Sequence, residues 1–401
     1  MDRTLVDFIS ERLLARAAIS GPFFAAHAGS LAQFAQQAAE RLFVDGRLLA
    51  FGCGAQVTDA QHVAVEFVHP GIVGKPALPA LDVSGSDLQS LAVLVQEGDV
   101  VLAFGPPSGD PRLAPFLQLA REHGALTMAV PSGRAAGDGA ADLELPAPTS
   151  DAFVHQELLM TVYHVLWEVV HVFGEHRGMD HDAGGAAFLY PFLGSGLVPR
   201  SEQQATLASE VATQIITKAQ DGGALRAQCA AGLAAELARA AIAIAARLEA
   251  GGRILAFGNG GSATAATDFA YDCTMPPSGP LRPVPAISLA AEVAVVSAIA
   301  NDIGAEAIFL RQLVSHARAG DVAVGFSTSG SSANVNHALA EANKRGLLTV
   351  ALAGRDGGLV AEPGRVDFKF VVPSPSVHRI QEVQASITHV LREAIDAALP
   401  S

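Results

Sequence analysis

The chain carries two copies of one sequence pattern, and this internal repeat constrains the fold more than any other feature. The segment GRLLAFGCGAQVTDAQHVAVEF (46–67) matches GRILAFGNGGSATAATDFAYDC (252–273). Further along, EGDVVLAF (97–104) matches AGDVAVGF (319–326). The matching segments follow the same order in both halves, so the 401 residues are expected to fold as two similar domains.

Each copy alternates short apolar runs with longer helix-like stretches. The first copy has the runs LLAF, VVLAF and LTMAV, and the second has ILAF, VAVGF and LTVAL. Short apolar runs that alternate with helices predict βαβ units, and therefore a parallel sheet with helices on both faces. We predict an α/β protein with two Rossmann-like domains that arose by duplication, at residues 1–175 and 201–401. A linker rich in Gly and Pro is predicted at 176–200.

Composition limits the classes of partner. The formal charge of −14 repels nucleic-acid backbones and anionic membranes, so a small-molecule ligand is the more natural expectation. No run approaches the roughly 18 apolar residues of a membrane span, and the amphipathic, acid-containing start resembles no targeting segment. The scattered cysteines Cys53, Cys229 and Cys273 form no CxxC motif, which favours reduced thiols and a cytoplasmic location.

One loop of the second copy is rich in hydroxyl side chains. It reads FSTSGSSANV (326–335) and lies between the run VAVGF and a helix-like stretch. Open α/β sheets bind ligands at the carboxyl ends of their strands, and free N–H groups at the start of a helix attract anions. We therefore predict that this loop binds a phosphate ester. The alternative is that one hydroxyl caps the helix and the others stabilise a turn.

A glycine turn, FGNGGSATAATDF (257–269), also joins a predicted strand to a predicted helix. Glycine lets a ligand approach the backbone closely, and Asn259 and Ser262 would add an amide and a hydroxyl there. The turn is neither a GxGxxG motif nor a P-loop, so no nucleotide cofactor is expected.

Five ordered motifs give the second half a specific resemblance to a known family: GNGGS, SAIANDIGAEAIFLRQL, GDVAVGFSTSGSSANV, LAGRDGG and HRIQEVQASITHVL. Residues 200–401 resemble the sugar isomerase (SIS) domain of the phosphoheptose isomerases. The first half resembles it more faintly, through FGCGAQVTDAQHVAVEF and HQELLMTVYHVL. The resemblance implies a Rossmann-like SIS fold and the interconversion of sedoheptulose 7-phosphate and D-glycero-D-manno-heptose 7-phosphate, often with zinc. It also implies a homo-oligomer, here a dimer of two-domain chains that mimics a tetramer.

The same resemblance implies binding roles for residues of the second half. One set would hold the phosphate: Ser327, Thr328, Ser329 and Ser332. A second set would bind the sugar: Asn259, Gly260, Gly261, Ser262, Asn301, Asp302 and Gln381. The expected substrate is a phosphorylated sugar, and the sequence leaves open which one, because pocket shape selects its length and configuration.

Interconversion of an aldose and a ketose needs a base that moves a proton between carbons and an acid or metal that stabilises the enediolate oxygen. In the family these roles belong to a His and a Glu four residues apart and to a Gln and a His eight apart. The first half matches all four positions, with His62, Glu66, Gln156 and His164. Each pair would share one helix face, and the four side chains suit zinc. The second half has instead Asp268, Asp272, Gln381 and His389.

The first half has lost the hydroxyl loop, which there reads GPPSGDP (105–111). Its prolines remove backbone donors and its aspartate would repel phosphate. In one hypothesis a composite site joins the second-half loops to Glu66 as base, His164 as acid and zinc on the first-half quartet. In another, the second half works alone with Asp272 and His389 beside a decayed scaffold. In the third, the chain is a non-catalytic SIS-domain regulator that binds a phosphosugar.

Overall fold

The structure is a computed structural model that describes residues 3–72, 74–131, 139–177, 200–277, 279 and 281–400. The five strands of the first half form one parallel sheet in the order β2-β1-β3-β4-β5. Its elements are α1 (Arg3–Leu42), β1 (Leu48–Gly52), α2 (Val57–Val68), β2 (Ala80–Asp82), α3 (Leu88–Leu94), β3 (Val100–Phe104), α4 (Leu113–Glu122), β4 (Leu126–Val130), β5 (Leu143–Glu144) and α5 (Ala152–Arg177).

The second half repeats this topology, with a parallel sheet in the order β7-β6-β8-β9-β10. Its elements are α6 (Arg200–Glu249), β6 (Ile254–Gly258), α7 (Gly261–Thr274), β7 (Ala286–Ser288), α8 (Val293–Asp302), α9 (Ile308–His316), β8 (Val322–Ser327), α10 (Ala333–Lys344), β9 (Leu348–Gly354), β10 (Phe368–Val372) and α11 (Val377–Ala398). The predicted α/β fold with two duplicated parallel sheets is confirmed. The predicted linker at 176–200 falls mostly outside the described residues, so the domain boundaries stay a prediction.

The central strands are buried on both faces. Every residue of β1, β3, β6 and β8 is buried, as expected where helices cover both sides of a sheet. Side chains alternate between two cores: Leu48 and Ala50 pack with α1 and α5, while Leu49 and Phe51 pack with α3 and α4. Because both faces are covered, only the edge formed by the strand ends is open to a ligand.

The two longest described helices, α1 and α6, each pack against the sheet of the other half as well as their own. Leu5, Ile9 and Leu13 of α1, spaced four apart, pack in the core of the second sheet. In return, Val211 and Ile215 of α6 pack in the core of the first sheet. Each long helix therefore contributes to both cores, and α2, α5, α7 and α11 meet at the junction between the halves.

Two structural features bear on the predicted partners and location. The α6 segment Leu207–Glu249 is long and apolar enough to cross a membrane by those two criteria alone, but 50% of its most apolar stretch is buried inside the protein, where α6 packs on α1 and α11 as a core helix does. Cys53, Cys229 and Cys273 are buried and unpaired. Neither feature tests the predicted absence of membrane and nucleic-acid partners or the cytoplasmic location, which stay predictions.

Candidate active site

Both glycine turns lead into helices that meet at the junction. Gly260, which precedes α7, has a φ of 54°, and Gly54, at the matching turn before α2, has a φ of 66°. Both angles lie in the left-handed region that glycine adopts without strain. Beyond the turns, α2 packs against α7 and α5 packs against α11. These four helices carry every metal-ligand and acid–base residue predicted from the sequence.

Three of the predicted zinc ligands converge. We define the His62 cluster as His62, Glu66, His164 and Gln381, each at most 5% exposed. His62 Nε2 lies 3.3 Å from Glu66 Oε1 and 3.4 Å from His164 Nε2. Two ligands of a tetrahedral Zn²⁺, each about 2.0–2.1 Å from the ion, stand about 3.3 Å apart. The three side chains are therefore spaced as ligands of one ion.

The fourth member of the cluster comes from the other half. Gln381 Oε1 is buried with no hydrogen-bond partner in the described part of the chain, and a side-chain carbon at Gly261 would collide with both Gln381 Nε2 and His62 Nε2. Gln381, predicted to bind substrate, thus meets His62 over the second-half glycine turn. Gln156, predicted as a ligand beside His62, instead donates from Nε2 to Asp268 Oδ1 at 2.8 Å. The structure therefore separates the predicted quartet and puts Gln381 in the place of Gln156.

A carboxylate of the second half orients His164. His164 Nδ1 donates to Glu382 Oε1 at 3.0 Å, which leaves the Nε2 lone pair facing His62. Burial and the neighbouring His378 lower the pKa of His164 to about 4, so its ring is neutral at pH 7. A neutral imidazole whose second nitrogen donates to a carboxylate is the form in which histidine binds a metal.

Two histidines hold Glu66 in its ionised form. Burial disfavours the charge, but hydrogen bonds from His378 and His62 outweigh it and hold the pKa of Glu66 well below its ordinary value. His378 Nε2 lies 3.3 Å from Glu66 Oε2, and its Nδ1 donates to Glu168 Oε1 at 2.7 Å. Burial lowers the pKa of His378, yet Glu168 and Glu66 outweigh burial and raise it to about 9. Glu66 is therefore a carboxylate beside a buried cation.

The hydroxyl loop, residues 327–332, lies between the end of β8 and the start of α10. Ser327 Oγ lies 3.0 Å from Ser332 Oγ and 3.4 Å from Ser329 Oγ. Ser332 directly precedes α10, yet its hydroxyl makes no capping bond to the helix. The hydroxyls thus converge at a helix start without capping it, an arrangement suited to an anion.

An amide pair joins the hydroxyl loop to the His62 cluster. Asn259 and Asn334 exchange two hydrogen bonds, each of 2.9 Å. Asn334 is the second residue of α10, and Asn259 directly precedes Gly260 and Gly261, against which His62 packs. The amide of Asn259, predicted to bind the sugar, therefore fixes the glycine turn relative to the hydroxyl loop.

Two predicted sugar-binding residues lie on the surface. Asn301 and Asp302 end α8 and are exposed, and Asn301 Nδ2 donates to Asp302 Oδ1 at 2.8 Å. Within the part of the chain that the structure describes, no hydrogen bond joins either one to the His62 cluster. Ser262 is buried at the start of α7, and Thr328 is half-buried in the hydroxyl loop. Contact of these four with a substrate stays a prediction.

The sequence interpretation missed Glu157 and Glu382. Each directly follows the glutamine of its own half and reaches the histidine of the other: His389 Nδ1 donates to Glu157 Oε1 at 2.8 Å, as His164 does to Glu382. The Gln-Glu pair repeated in HQELL and RIQEV was the available signal. A carboxylate kept in both copies on a buried helix face indicates a charged or polar partner.

In the first half, the counterpart of the hydroxyl loop is residues 105–111, and the carboxylate of Asp110 occupies it. Asp110 accepts a hydrogen bond from the backbone N–H of Arg112 and pairs with its guanidinium, both at 2.9 Å. The Arg112 guanidinium holds the pKa of Asp110 below its ordinary value. The pair lies directly before α4, so this loop presents a carboxylate where the loop before α10 presents hydroxyls.

The sequence has clear relatives among known proteins. The SIS domain family model matches residues 219–354. The phosphoheptose isomerase of Geobacter metallireducens is 43% identical over 156 residues, which are 39% of this chain and 82% of that protein. The phosphoheptose isomerase of Aquifex aeolicus is 41% identical over 153 residues, which are 38% of this chain and 79% of that protein.

A solved structure is similar over both halves. The C-terminal domain of glucosamine-fructose-6-phosphate aminotransferase from Francisella tularensis gives a TM-score of 0.62 at 10% identity and covers 96% of each chain. That likeness concerns the fold alone, and the sequence relatives carry the assignment of the family. The chain belongs to the SIS-domain family of sugar-phosphate isomerases that includes the phosphoheptose isomerases.

Proposed function

We propose that the chain is an aldose–ketose isomerase with one composite active site, built by both halves. The observation that carries the proposal is the meeting of His62 from the first half and Gln381 from the second over Gly261. The hydroxyl loop would hold the phosphate, while the glycine turn and the His62 cluster would hold the reacting end of the sugar. The resemblance to phosphoheptose isomerases favours sedoheptulose 7-phosphate and D-glycero-D-manno-heptose 7-phosphate as the substrate pair.

Glu66 is the base in this proposal. Isomerisation removes a proton from one carbon, passes through an enediolate, and returns the proton to the neighbouring carbon. The low pKa of Glu66 keeps it ionised at neutral pH, which leaves a carboxylate oxygen free to accept that proton but makes the group a weaker base than an ordinary glutamate. The cationic His378, 3.3 Å from Glu66 Oε2, fixes the carboxylate and balances its charge.

The His62 cluster fits a zinc ion, because the facing nitrogens of His62 and His164 lie 3.4 Å apart and Gln381 Oε1 has no other partner among the described residues. Zinc held by His62, His164 and Gln381 would polarise the carbonyl oxygen of the sugar. His164, predicted as the acid, has its Nδ1 proton engaged with Glu382, and its pKa of about 4 leaves Nε2 without a proton at neutral pH. We therefore assign His164 the role of ligand.

Kinetics of two nearly isosteric variants distinguish a composite active site from an active site formed by the second half alone. Glu66→Gln is expected to lower kcat by about 10²–10⁴, the usual contribution of a general base. Asp272→Asn is expected to retain most of its turnover of the same substrate. Thermal melting of both variants checks that each is folded. Wild-type turnover by Glu66→Gln would rule out the composite site.

The second candidate function is a non-catalytic regulator that binds a phosphosugar. Detection of the aldose product tests it. The protein is incubated with sedoheptulose 7-phosphate, once with added zinc and once with a chelator, and NMR monitors formation of the aldose. Binding without product in both conditions would favour the regulator. The isomerase is preferred because a phosphosugar sensor has no need of an ionised, buried Glu66 beside its histidines.

We also propose that a second copy of the chain covers α8. None of the residues of this helix is buried, and Val293 and Ile303 at its two ends are 75% and 62% exposed. Large apolar side chains exposed on one short helix are found at protein interfaces. The dimer expected from the resemblance would bury it and bring a neighbouring chain close to Asn301 and Asp302.

A further inference from the structure

The junction holds a second set of metal-ligand side chains outside the proposed active site. Asp268 and Asp272 lie one turn apart on α7, His389 lies on α11, and Gln156 reaches them from α5. We define these four residues as the His389 cluster. All are nearly or fully buried.

The donors of the His389 cluster are spaced for a shared cation. His389 Nε2 lies 3.4 Å from Asp272 Oδ2 and 3.6 Å from Asp268 Oδ2. Both distances exceed the range of about 2.7–3.2 Å for an N–H···O hydrogen bond. They are close to the separation of about 3.3 Å between two ligands of one tetrahedral ion. Without metal the His389 ring pairs with both aspartates at these long distances, and the same spacing also suits a cation between the three groups.

Several buried atoms of the cluster lack partners. Among the described residues, neither carboxylate oxygen of Asp272 accepts a hydrogen bond beyond the long contact with His389, and the side chain is 0% exposed. Arg392 donates from Nε to the backbone carbonyl of Asp272 at 3.2 Å, while the carboxylate stays without a donor. Gln156 Oε1 is also buried and unpartnered, although its Nε2 is bonded to Asp268. A buried carboxylate without donors is strongly unfavourable unless a cation compensates it.

Glu157 orients His389 for metal binding. His389 Nδ1 donates to Glu157 Oε1 at 2.8 Å, and Arg16 Nε pairs with the same oxygen at 2.8 Å. This directs Nε2 of His389 toward the two aspartates, where binding of a metal would displace the proton that these carboxylates favour on the ring. A carboxylate behind a ligating histidine is the usual supporting contact of a metal site.

We propose that the His389 cluster binds one divalent transition-metal cation that joins the two halves. Gln156 comes from the first half and the other three ligands from the second. One imidazole nitrogen with carboxylate and amide oxygens suits Zn²⁺ or Mn²⁺. We assign the cation a structural role. A substrate at this cluster would need the first-half loop to hold its phosphate, and Asp110 and Arg112 fill that loop. This site stands independently of the activity proposed for the His62 cluster.

Zinc titration of the metal-stripped, full-length chain tests the proposal, with bound metal counted after equilibrium dialysis. The wild type is expected to bind two Zn²⁺ per chain, His389→Gln and His62→Gln one each, and the double variant none. His171→Gln is the matched control, because this buried α5 histidine bonds to the carbonyls of Trp167 and Pro76 and belongs to neither cluster, and it should keep two.

The stoichiometry separates this proposal from the proposed function. One zinc per chain that His62→Gln removes and His389→Gln keeps would overturn the second site. One zinc that only His389→Gln removes would support the second site and refute zinc in the proposed active site. No zinc in the wild type would overturn both.

Thermal unfolding of Asp272→Asn at pH 8 gives a second measurement. The substitution keeps the size of the side chain and removes its charge. Without metal the variant should melt above the wild type, because a buried charge without donors is gone. With excess zinc the order should reverse, because the wild type alone gains the full binding energy of the second ion. A metal-free variant that melts below the wild type would show that the carboxylate is stabilised by protein groups alone, and the proposal would fail.

Discussion

Replacing Gly261 with alanine tests the composite site with one added methyl group. Gly261 is the first residue of α7 and has an ordinary φ, so alanine fits the backbone there. The new carbon would stand 2.5 Å from His62 Nε2 and would also overlap Gln381 Nε2. Ordinary contacts of such a carbon begin at 3.4 Å. The ends of two side chains from opposite halves must therefore move by about 1 Å, a displacement that matters in a reacting site.

The expected effect is on rate more than on stability. A misplacement of about 1 Å costs on the order of a hundredfold, so we expect kcat of Gly261→Ala to fall by about that factor. KM should change little, because the hydroxyl loop is not touched. Only the ends of flexible side chains have to shift, so the destabilisation should stay within the range of about 1–3 kcal/mol for an overpacked site.

Gly29→Ala is the matched control for this experiment. Gly29 lies within α1, and a carbon added there meets nothing within 4 Å. Alanine is more stable than glycine in a helix by about 1 kcal/mol, so the control should melt at or above the wild type and keep its rate. Turnover is measured as aldose formation and folding by circular dichroism. A wild-type kcat in Gly261→Ala would refute the inference that His62 and Gln381 act together over this glycine.

Three further predictions concern phosphate binding, pH and assembly. Ser332→Ala should raise KM roughly 10- to 100-fold, the value of a lost hydrogen bond to a charged group, while the exposed Ser331→Ala should not. Burial disfavours the charge of Glu168, but cationic neighbours outweigh it and lower its pKa. Glu168 therefore stabilises the fold above about pH 4.3 and less as pH falls below it, so Glu168→Gln should lose about 3–5 kcal/mol in denaturant melts at pH 7 and less in acid. Val293→Asp should shift the chain from dimer to monomer in sedimentation, whereas Val44→Asp, 65% exposed at the end of α1, should not.

The sequence predicted the central strands because burial on both faces demands continuous apolar runs. LLAF, VVLAF and LTMAV became β1, β3 and β4, and their counterparts became β6, β8 and β9. The edge strands β2 and β5 went unpredicted. They have three and two residues, and such short segments carry no apolar run that could be recognised. The packing of α1 and α6 in the core of the opposite half could not be predicted either, because the spacing of apolar residues on a helix does not show which core they pack in.

The same limit explains which part of the site could be predicted. Spacing of four and eight residues correctly put His62 with Glu66 on one helix face and marked Gln156 and His164 on another. Spacing along a helix cannot tell which helix that face meets. At the junction Gln156 faces α7, and Gln381 takes its place beside His62. The packing of α2 against α7 and of α5 against α11 therefore decided which side chains meet.

Residues of each half contact the cluster of the other half. This gives a reason for the chain to retain both copies, although the first copy has no hydroxyl loop. Glu382 orients His164, and Gln381 completes the His62 cluster, so the proposed active site draws on helices of both halves. The loop at 105–111, by the symmetry of the repeat, would serve only the His389 cluster. Loss of hydroxyls from this loop would therefore abolish phosphate binding beside the His389 cluster and leave the proposed active site unchanged. Loss of α2 or α5 would instead remove the proposed base and ligands from the surviving site. If the composite site is correct, substitutions in the loop beside the His389 cluster should leave turnover unchanged, whereas substitutions at His62 should abolish it.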